Sequence, residues 1–247
     1  MQIFCDKIKW VKIMLEVKNI CYSVLENGKE KVILNNVSFC VADDEKLVIT
    51  GHNGSGKSTL LKIIMGIVKQ TSGQIFFDGK DISELSIDQR AKLGIAFSFQ
   101  TPVCFKGMTV KRLLELASND KKSFDDYCNI LSKLGLCARD YLNREVNAKL
   151  SGGEQKRIEI ATVLARNAKL NLFDEPEAGI DIWSFDNLVN IFEKKRCSNV
   201  IVSHQKALIE KADKILLLNA GKVEFFDEKN KVLPFLNGNG SCEKLRR

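Results

Sequence analysis

The stretch "KLVITGHNGSGKSTLLKIIMGIV", residues 46–68, decides the fold of this chain. Lys46–Thr50 is a short apolar run typical of a buried strand, and residues 58–68 carry the apolar face of a helix. Between them, Gly51–Ser58 fits the pattern G-x-x-x-x-G-K-[ST], which requires a strand before it and a helix after it. The stretch therefore predicts a strand, a glycine-rich loop and a helix in direct succession.

This loop has the chemistry of a phosphate cradle. Glycines let backbone N–H groups curl around phosphate oxygens, and the start of the helix adds a favourable potential for anions. Lys57 is expected to reach the β- and γ-phosphates, and the Ser58 hydroxyl to bind Mg²⁺. The pattern predicts binding of ATP or GTP, with His52 pointing to solvent. The expected nucleotide contacts are Gly51, His52, Asn53, Gly54, Ser55, Gly56, Lys57, Ser58 and Thr59.

Acidic residues follow a second apolar strand, in "LNLFDEPEAGID", residues 170–181. Asp174 ends that strand, where its carboxylate can hold Mg²⁺ from the opposite side. Glu175 comes next and is suited to orienting or deprotonating a water molecule. Taken alone, two adjacent acids could equally cap a strand end, so this prediction depends on the phosphate loop. Asn171 interrupts the apolar run and weakens the strand pattern slightly.

A third apolar strand, in "NVIVSHQ", ends at His204. A single histidine is more often structural than catalytic. Strand ends in α/β sheets face the ligand crevice, however, so we expect His204 to contact the γ-phosphate.

A second glycine-rich stretch, "KLSGGEQKRIEIATVLARN", covers residues 149–167. Ser151 and Glu154 have the spacing of a capping box at the start of a helix. A capping box does not need Gly152 and Gly153, and glycine early in a helix costs backbone entropy. The serine–glycine loop, Ser151–Gly153, therefore needs a further explanation.

The remaining pattern predicts an α/β protein with a mostly parallel sheet. An antiparallel β subdomain comes first, with strands at 15–23 and 32–41 joined by the turn "ENGKE", and with a second turn at Asp78-Gly79. Residues 101–150 have helical spacing and predict an inserted helical subdomain. Later helices are expected at 151–167, 184–196 and 205–212. We expect one domain over 14–236, an extension at 1–13 with Met14 as the natural start, and a flexible tail at 237–247.

Composition limits the possible partners. The net charge is +7, but the 38 basic residues are scattered along the chain, so nucleic-acid binding is not indicated. No run approaches the roughly 18 apolar residues of a membrane helix, so any membrane part would come from another chain. The 8 cysteines form no C-x-x-C pair, and we expect most to be small buried hydrophobes in a cytoplasmic protein. A metal cluster assembled from distant cysteines stays open as an alternative.

Together, the phosphate loop, "LSGGEQ", "LFDEP", "AGID" and "SHQ" resemble ABC-type ATPases in order and spacing across residues 14–236. That resemblance implies ATP hydrolysis in a P-loop NTPase core. It also implies that Tyr22 stacks on adenine, that Gln100 links the Mg²⁺ site to the helical subdomain, and that Asp181 crosses a dimer interface. Two ATP molecules would be sandwiched head to tail, each held by one chain's phosphate loop and the other chain's Ser151, Gly152 and Gly153.

Within that family, three places resemble SufC, the soluble ATPase of iron–sulfur cluster assembly. They are "LGIAFSFQTPVCFKGMTV" at residues 93–110, the glutamate at Glu159, with Thr162 where arginine is usual, and "AGIDI" at 178–182. The resemblance implies a SufB/SufD-type scaffold as partner of the helical subdomain, and Lys156 holding Glu175 away in the resting monomer. Leu150 and "PEAG" depart from the SufC pattern, so the alternative is the ATP-binding subunit of a membrane transporter.

Overall fold

The computed structural model describes residues 12–118, 123–147, 149–193 and 197–236. The predicted extension, apart from its last two residues, and the predicted tail at 237–247 lie outside the described residues. The strands are β1 Ile13–Glu26, β2 Lys29–Ala42, β3 Lys46–Thr50, β4 Ser72–Phe77, β5 Lys80–Asp81, β6 Ile95–Ser98, β7 Leu170–Asp174, β8 Ser198–Val202, β9 Lys214–Asn219 and β10 Lys222–Glu228. The helices are α1 Lys57–Met65, α2 Ile87–Leu93, α3 Val110–Ser118, α4 Phe124–Ser132, α5 Ala138–Tyr141, α6 Gly152–Arg166, α7 Ile182–Glu193, α8 Lys206–Glu210 and α9 Lys229–Leu236.

An antiparallel sheet in the order β2-β1-β4-β5 is built from the early part of the chain. Its two hairpin turns are those that the sequence predicts. Asn27 and Gly28 have φ values of 53° and 74°, and Asp78 and Gly79 have 49° and 76°. Positive φ at both central residues gives a turn whose twist matches that of the flanking strands. The predicted antiparallel β subdomain is confirmed.

A second sheet of six strands has the order β10-β9-β3-β8-β7-β6. Every neighbouring pair is parallel except β10 with β9. The expected mostly parallel sheet is therefore confirmed. Because β6, β7, β8 and β3 are adjacent and parallel, the residues that follow them meet at one edge of the sheet. That edge receives Gln100, Asp174, His204 and the phosphate loop.

Alternate residues of the central strands face opposite sides of this sheet. In β3, Leu47 and Ile49 join a core that also contains α1 and the antiparallel sheet, whereas Val48 joins the core on the other side. Asn171 does not break β7, because its Nδ2 donates to Asn199 Oδ1 of β8 at 3.1 Å. Pairing of the two amides satisfies part of the polar demand of a buried strand position.

The helices of residues 101–150 pack onto α6 rather than onto the antiparallel sheet. Leu114 of α3, Leu131 of α4 and Ala138 of α5 share one core with Ile158 of α6. Among the described residues, every helix is too short or too polar to pass through a lipid bilayer.

The structure differs from the sequence prediction at the helix after the phosphate loop and in the burial of the cysteines. The helix after the phosphate loop ends at Met65, because Gly66 adopts φ 81° and closes it. The expectation that most cysteines are buried is wrong for the described six, since Cys40 is buried but Cys104 and Cys137 are exposed and three others are intermediate. Cys5 and Cys242 lie outside the described residues.

Candidate nucleotide-binding site

The phosphate loop, Gly51–Thr59, joins β3 to α1 and needs its glycines for two reasons. Gly51 and Gly56 have φ values of 143° and 97°, which L side chains rarely adopt. A Cβ on Gly51 would lie 1.9 Å from the Leu218 carbonyl oxygen, and one on Gly56 would lie 2.7 Å from a methyl carbon of Leu34. A strand of each sheet, β9 with Leu218 and β2 with Leu34, therefore lies directly against the loop. Of the other loop residues, Ser55 is buried, Thr59 is partly buried, and His52, Asn53 and Gly54 are exposed, as the sequence suggests for His52.

Lys57 is buried at the centre of the loop, with 5% of its surface exposed. Its ammonium donates to the carbonyl oxygens of Gly51 at 2.7 Å and His52 at 2.9 Å. Burial lowers the pKa of Lys57 from its ordinary value, while the nearby carboxylates of Glu175 and Asp174 raise it. The loop thus has one cation beside two acids.

Ser58 and Asp174 come from α1 and β7 and meet directly. The Ser58 hydroxyl donates to Asp174 Oδ1 at 2.8 Å. Asp174 is 1% exposed, and burial raises its pKa while the bond from Ser58 opposes that shift. A hydroxyl and a carboxylate side by side form part of the oxygen ligand set that Mg²⁺ prefers. These two residues fit the predicted metal site.

Glu175 is held by Gln100. The Gln100 Nε2 donates to Glu175 Oε2 at 2.8 Å, although 75 residues separate them. Glu175 has φ 46°, a strained value for a residue with a side chain, and its N–H is fixed by the Val202 carbonyl at 3.0 Å. Strain of this kind is often found at functional positions.

His204 follows β8 and lies near the same groups. Much of its ring is exposed, yet partial burial is the largest cause that lowers its pKa. The positive charge of Lys57 lowers that pKa further, and Glu175 raises it. A lowered pKa favours the neutral imidazole at neutral pH.

Tyr22 is connected to the phosphate loop through Leu34. It is partly buried in β1 and pairs across the sheet with Leu34, the residue that presses on Gly56. Tyr22 therefore lies on the strand next to the one that contacts the loop.

The serine–glycine loop starts α6, and its capping box is present. Glu154 N donates to Ser151 Oγ at 3.2 Å, and Ser151 N donates to Glu154 Oε2 at 2.7 Å. The two glycines differ. A Cβ on Gly153 would lie 2.7 Å from the Gly179 carbonyl oxygen, whereas a Cβ on Gly152 would meet nothing within 4 Å. Packing inside the chain thus explains Gly153 and leaves Gly152 facing open space.

Asp181 caps α7. Its carboxylate accepts from Ser184 N at 3.0 Å and Ser184 Oγ at 2.9 Å, and these bonds lower its pKa. Arg157 of α6 also donates to Ser184 Oγ, at 2.9 Å. Within the described parts of the chain, no hydrogen bond or ion pair joins Ser151–Gly153 or Asp181 to the phosphate loop. One chain therefore presents two separate sets of predicted site residues.

The structure corrects the expected role of Lys156. Its ammonium lies 3.5 Å from Glu159 Oε2 and donates to the carbonyl oxygens of Phe99 and Gln100. The side chain that holds Glu175 is Gln100, not Lys156. Thr162, the other unusual residue of this helix, donates its hydroxyl to the Glu159 carbonyl oxygen of the same helix at 2.6 Å.

Glu177 is a site residue that sequence reasoning missed. Its Oε1 accepts from the Ser203 hydroxyl at 2.5 Å, so it ties the turn after β7 to the residue before His204. Burial raises the pKa of Glu177. The available signal was an acid inside "PEAG", where the sequence departs from the SufC pattern.

Known proteins resemble this chain in both sequence and fold. Residues 34–178 match the family described as ABC transporter. An uncharacterised ABC transporter ATP-binding protein of Methanocaldococcus jannaschii is 40% identical over 202 residues, which are 77% of this chain and 81% of that protein. The iron–sulfur cluster assembly protein SufC of Plasmodium berghei is 33% identical over 229 residues, which are 85% of this chain and 62% of that protein. A solved dimeric ATP-binding cassette in a post-hydrolysis state, bound to ADP and phosphate, superposes with a TM-score of 0.79 at 27% identity, covering 87% of this chain and 99% of that one.

Proposed function

This chain belongs to the ABC transporter family, and on that premise we propose that it is a Mg²⁺-dependent ATPase that drives a SufB/SufD-like scaffold of iron–sulfur cluster assembly. The ATPase part is carried by one observation: Lys57, the Ser58–Asp174 pair and the Gln100–Glu175 pair converge where β3, β6 and β7 end.

Each of these groups has a defined task in ATP hydrolysis. Backbone N–H groups of the phosphate loop and Lys57 bind the phosphates, with Tyr22 stacking on the adenine. Ser58, Asp174 and Gln100 supply the oxygen ligands of Mg²⁺, which when bound neutralises charge on the phosphate oxygens. Glu175 orients or deprotonates the attacking water, and neutral His204 donates toward the γ-phosphate.

The serine–glycine loop completes the site of a second copy. Gly152 faces open space, so backbone can approach it closely, and the N-terminus of α6 favours an anion. Ser151–Gly153 of one copy would cover the ATP on the phosphate loop of the other, with Asp181 at the interface. The related cassette of known structure is dimeric, which supports this arrangement.

The scaffold partner is inferred from the three places where this chain resembles SufC rather than transporters, and Glu159 is the one whose contacts are most informative. Glu159 is not a neutral surface change, because its carboxylate accepts from Phe99 N at 2.6 Å and its side chain is 13% exposed. The SufC relative of Plasmodium berghei supports the same choice.

A docking surface for the partner is offered by apolar side chains in and beside the helical subdomain. Among the described residues, five of the eight large apolar side chains that are exposed lie here: Phe99, Val103, Phe105, Leu116 and Phe124. An exposed apolar patch is typical of a surface that another protein covers, so we take these side chains as the candidate docking surface.

Function as a transporter subunit is the second candidate. The relative from Methanocaldococcus jannaschii is named as an ABC transporter ATP-binding protein and is 40% identical, a higher value than for SufC. In that case the partner of the helical subdomain is a membrane protein.

Purification of the tagged chain from its own cells in mild detergent separates the two candidates. We expect a partner without membrane-spanning segments that carries an iron–sulfur cluster after reconstitution with iron and sulfide. Recovery of a polytopic membrane protein instead would reject the assembly function and establish that the chain is a transporter subunit.

A pair of variants checks that the partner binds through the helical subdomain. Phe105→Ser should reduce recovery of the partner, because it removes an apolar contact that is 45% exposed. Leu25→Ser, on the β1–β2 hairpin and 81% exposed, is the matched control and should leave recovery unchanged. Equal recovery with both variants would place the partner elsewhere.

A further inference from the structure

Helix α6 contains a buried ion pair. Lys156 has a fully buried side chain, Glu159 is 13% exposed, and their charged atoms lie 3.5 Å apart. Removing two charges from water is costly, so such a pair persists only when additional hydrogen bonds satisfy both ions. Burial lowers the pKa of Lys156 and raises that of Glu159, as expected for this environment.

Both ions find their additional hydrogen bonds on one dipeptide, Phe99–Gln100. Glu159 Oε1 accepts from Phe99 N at 2.6 Å. Lys156 Nζ donates to the Phe99 carbonyl oxygen and to the Gln100 carbonyl oxygen, the latter at 3.4 Å. The backbone of Phe99 is thus held on both its N–H and its C=O side.

This dipeptide is where the central sheet gives way to the helical subdomain. Phe99 directly follows β6, and Gln100 binds Glu175 through its side chain. The ion pair lies about two turns along α6 from Ser151, whose loop faces the second copy in the proposed dimer. If α6 is displaced, these contacts are kept only when the Phe99–Gln100 backbone moves with it.

We propose that Lys156 and Glu159 are positioning residues that clamp the Phe99–Gln100 backbone to α6 and so hold the Gln100 amide on Glu175. The clamp connects the serine–glycine loop to the Glu175 side chain without contact to nucleotide. The effect of the clamp on turnover rests on the proposed ATPase function, whereas its effect on the position of the Gln100 side chain does not.

The test replaces both ions together, with Lys156→Met and Glu159→Leu in one variant. A single substitution would leave an unpaired buried charge and could unfold the chain, whereas an apolar pair of similar volume is tolerated in many proteins. Lys69→Met with Glu84→Leu is the matched control, since that ion pair has the same charges but both side chains are 73% exposed.

The first readout is independent of ATP. The side-chain amide signal of Gln100 in an NMR spectrum, assigned by its loss in Gln100→Ala, should shift in the clamp variant toward its position in Glu175→Ala. The Phe99 amide should exchange with solvent faster. An unchanged Gln100 signal in the folded clamp variant would overturn the proposal, and so would a shift of equal size in the control.

The second readout is turnover. The clamp variant should lower kcat by about tenfold with little change in KM for ATP, since the phosphate loop is intact. In the Gln100→Ala background the same two substitutions should lower kcat no further. An additional loss there would mean that the ion pair acts through stability alone. Absence of ATPase activity in the unaltered chain, with the NMR shifts as expected, would reject the proposed function and leave the clamp in place.

Discussion

Pairs of polar side chains from distant parts of the chain define the site at the level of single residues. Ser58 meets Asp174, and Gln100 meets Glu175, each at 2.8 Å. Lys57 lies close enough to both acids for their charges to oppose the lowering of its pKa by burial. In the proposed ATPase, Glu175 is the group whose removal should stop chemistry without removing the binding site.

Glu175→Gln keeps the shape of the side chain but removes its basicity. We expect ATP binding to persist and the rate of phosphate release to fall by about 100-fold or more, in keeping with the loss of a general base. Because ATP then stays intact, gel filtration with ATP should show a dimer. Lys57→Ala is the contrasting variant and should bind no ATP, since the phosphate cation is lost. A Glu175→Gln protein that stays monomeric with ATP would argue against the sandwich.

At the level of elements, α6 shows how one helix start can serve two purposes. Its capping box follows from Ser151 and Glu154 alone and is predictable from their spacing. Its glycines are not explained locally, because Gly153 packs against the Gly179 carbonyl and Gly152 packs against nothing. Two neighbouring glycines are therefore required for different reasons, the first by intermolecular approach in the proposed dimer and the second by the fold.

Alanine substitutions separate these two reasons. Gly152→Ala should leave the free energy of unfolding unchanged or raise it by up to about 1 kcal/mol, because alanine is the better helix former. Gly153→Ala should lower it by about 1–3 kcal/mol, because the new Cβ would force the Gly179 loop to move. Urea unfolding without nucleotide measures both. Equal stabilities would show that the Gly153–Gly179 approach does not constrain the monomer.

In the proposed dimer, the whole molecule contributes one loop to each of two sites. The phosphate loop lies at the carboxyl edge of the central sheet, and the serine–glycine loop lies at the start of α6, against the turn at Gly179. A head-to-tail pair of chains would complete both sites. Activity is then a property of the dimer, although each chain folds around its own two cores.

Mixing two inactive variants tests this shared site. Lys57→Ala loses the phosphate cation, and Gly152→Asp places a negative charge where it repels ATP while suiting the start of a helix. Each protein alone should show almost no ATPase activity. An equimolar mixture should recover part of it, because the mixed dimer contains one intact phosphate loop facing one intact serine–glycine loop. No recovery, with both variants folded, would contradict a site shared between chains.

Local patterns in the sequence determined the fold class, both hairpin turns, the phosphate loop, the strand that ends at Asp174 and the cap at Ser151. Each of these depends on neighbours a few residues apart, where side-chain alternation, glycine conformations and capping distances are fixed by backbone geometry. Only the tertiary structure decided that Lys156 pairs with Glu159 and Phe99, that Gln100 holds Glu175, that most described cysteines are not buried and that Gly153 serves the fold. These outcomes depend on which surfaces meet when strands and helices pack, and contacts across 60 or 75 residues leave no periodic trace in the chain.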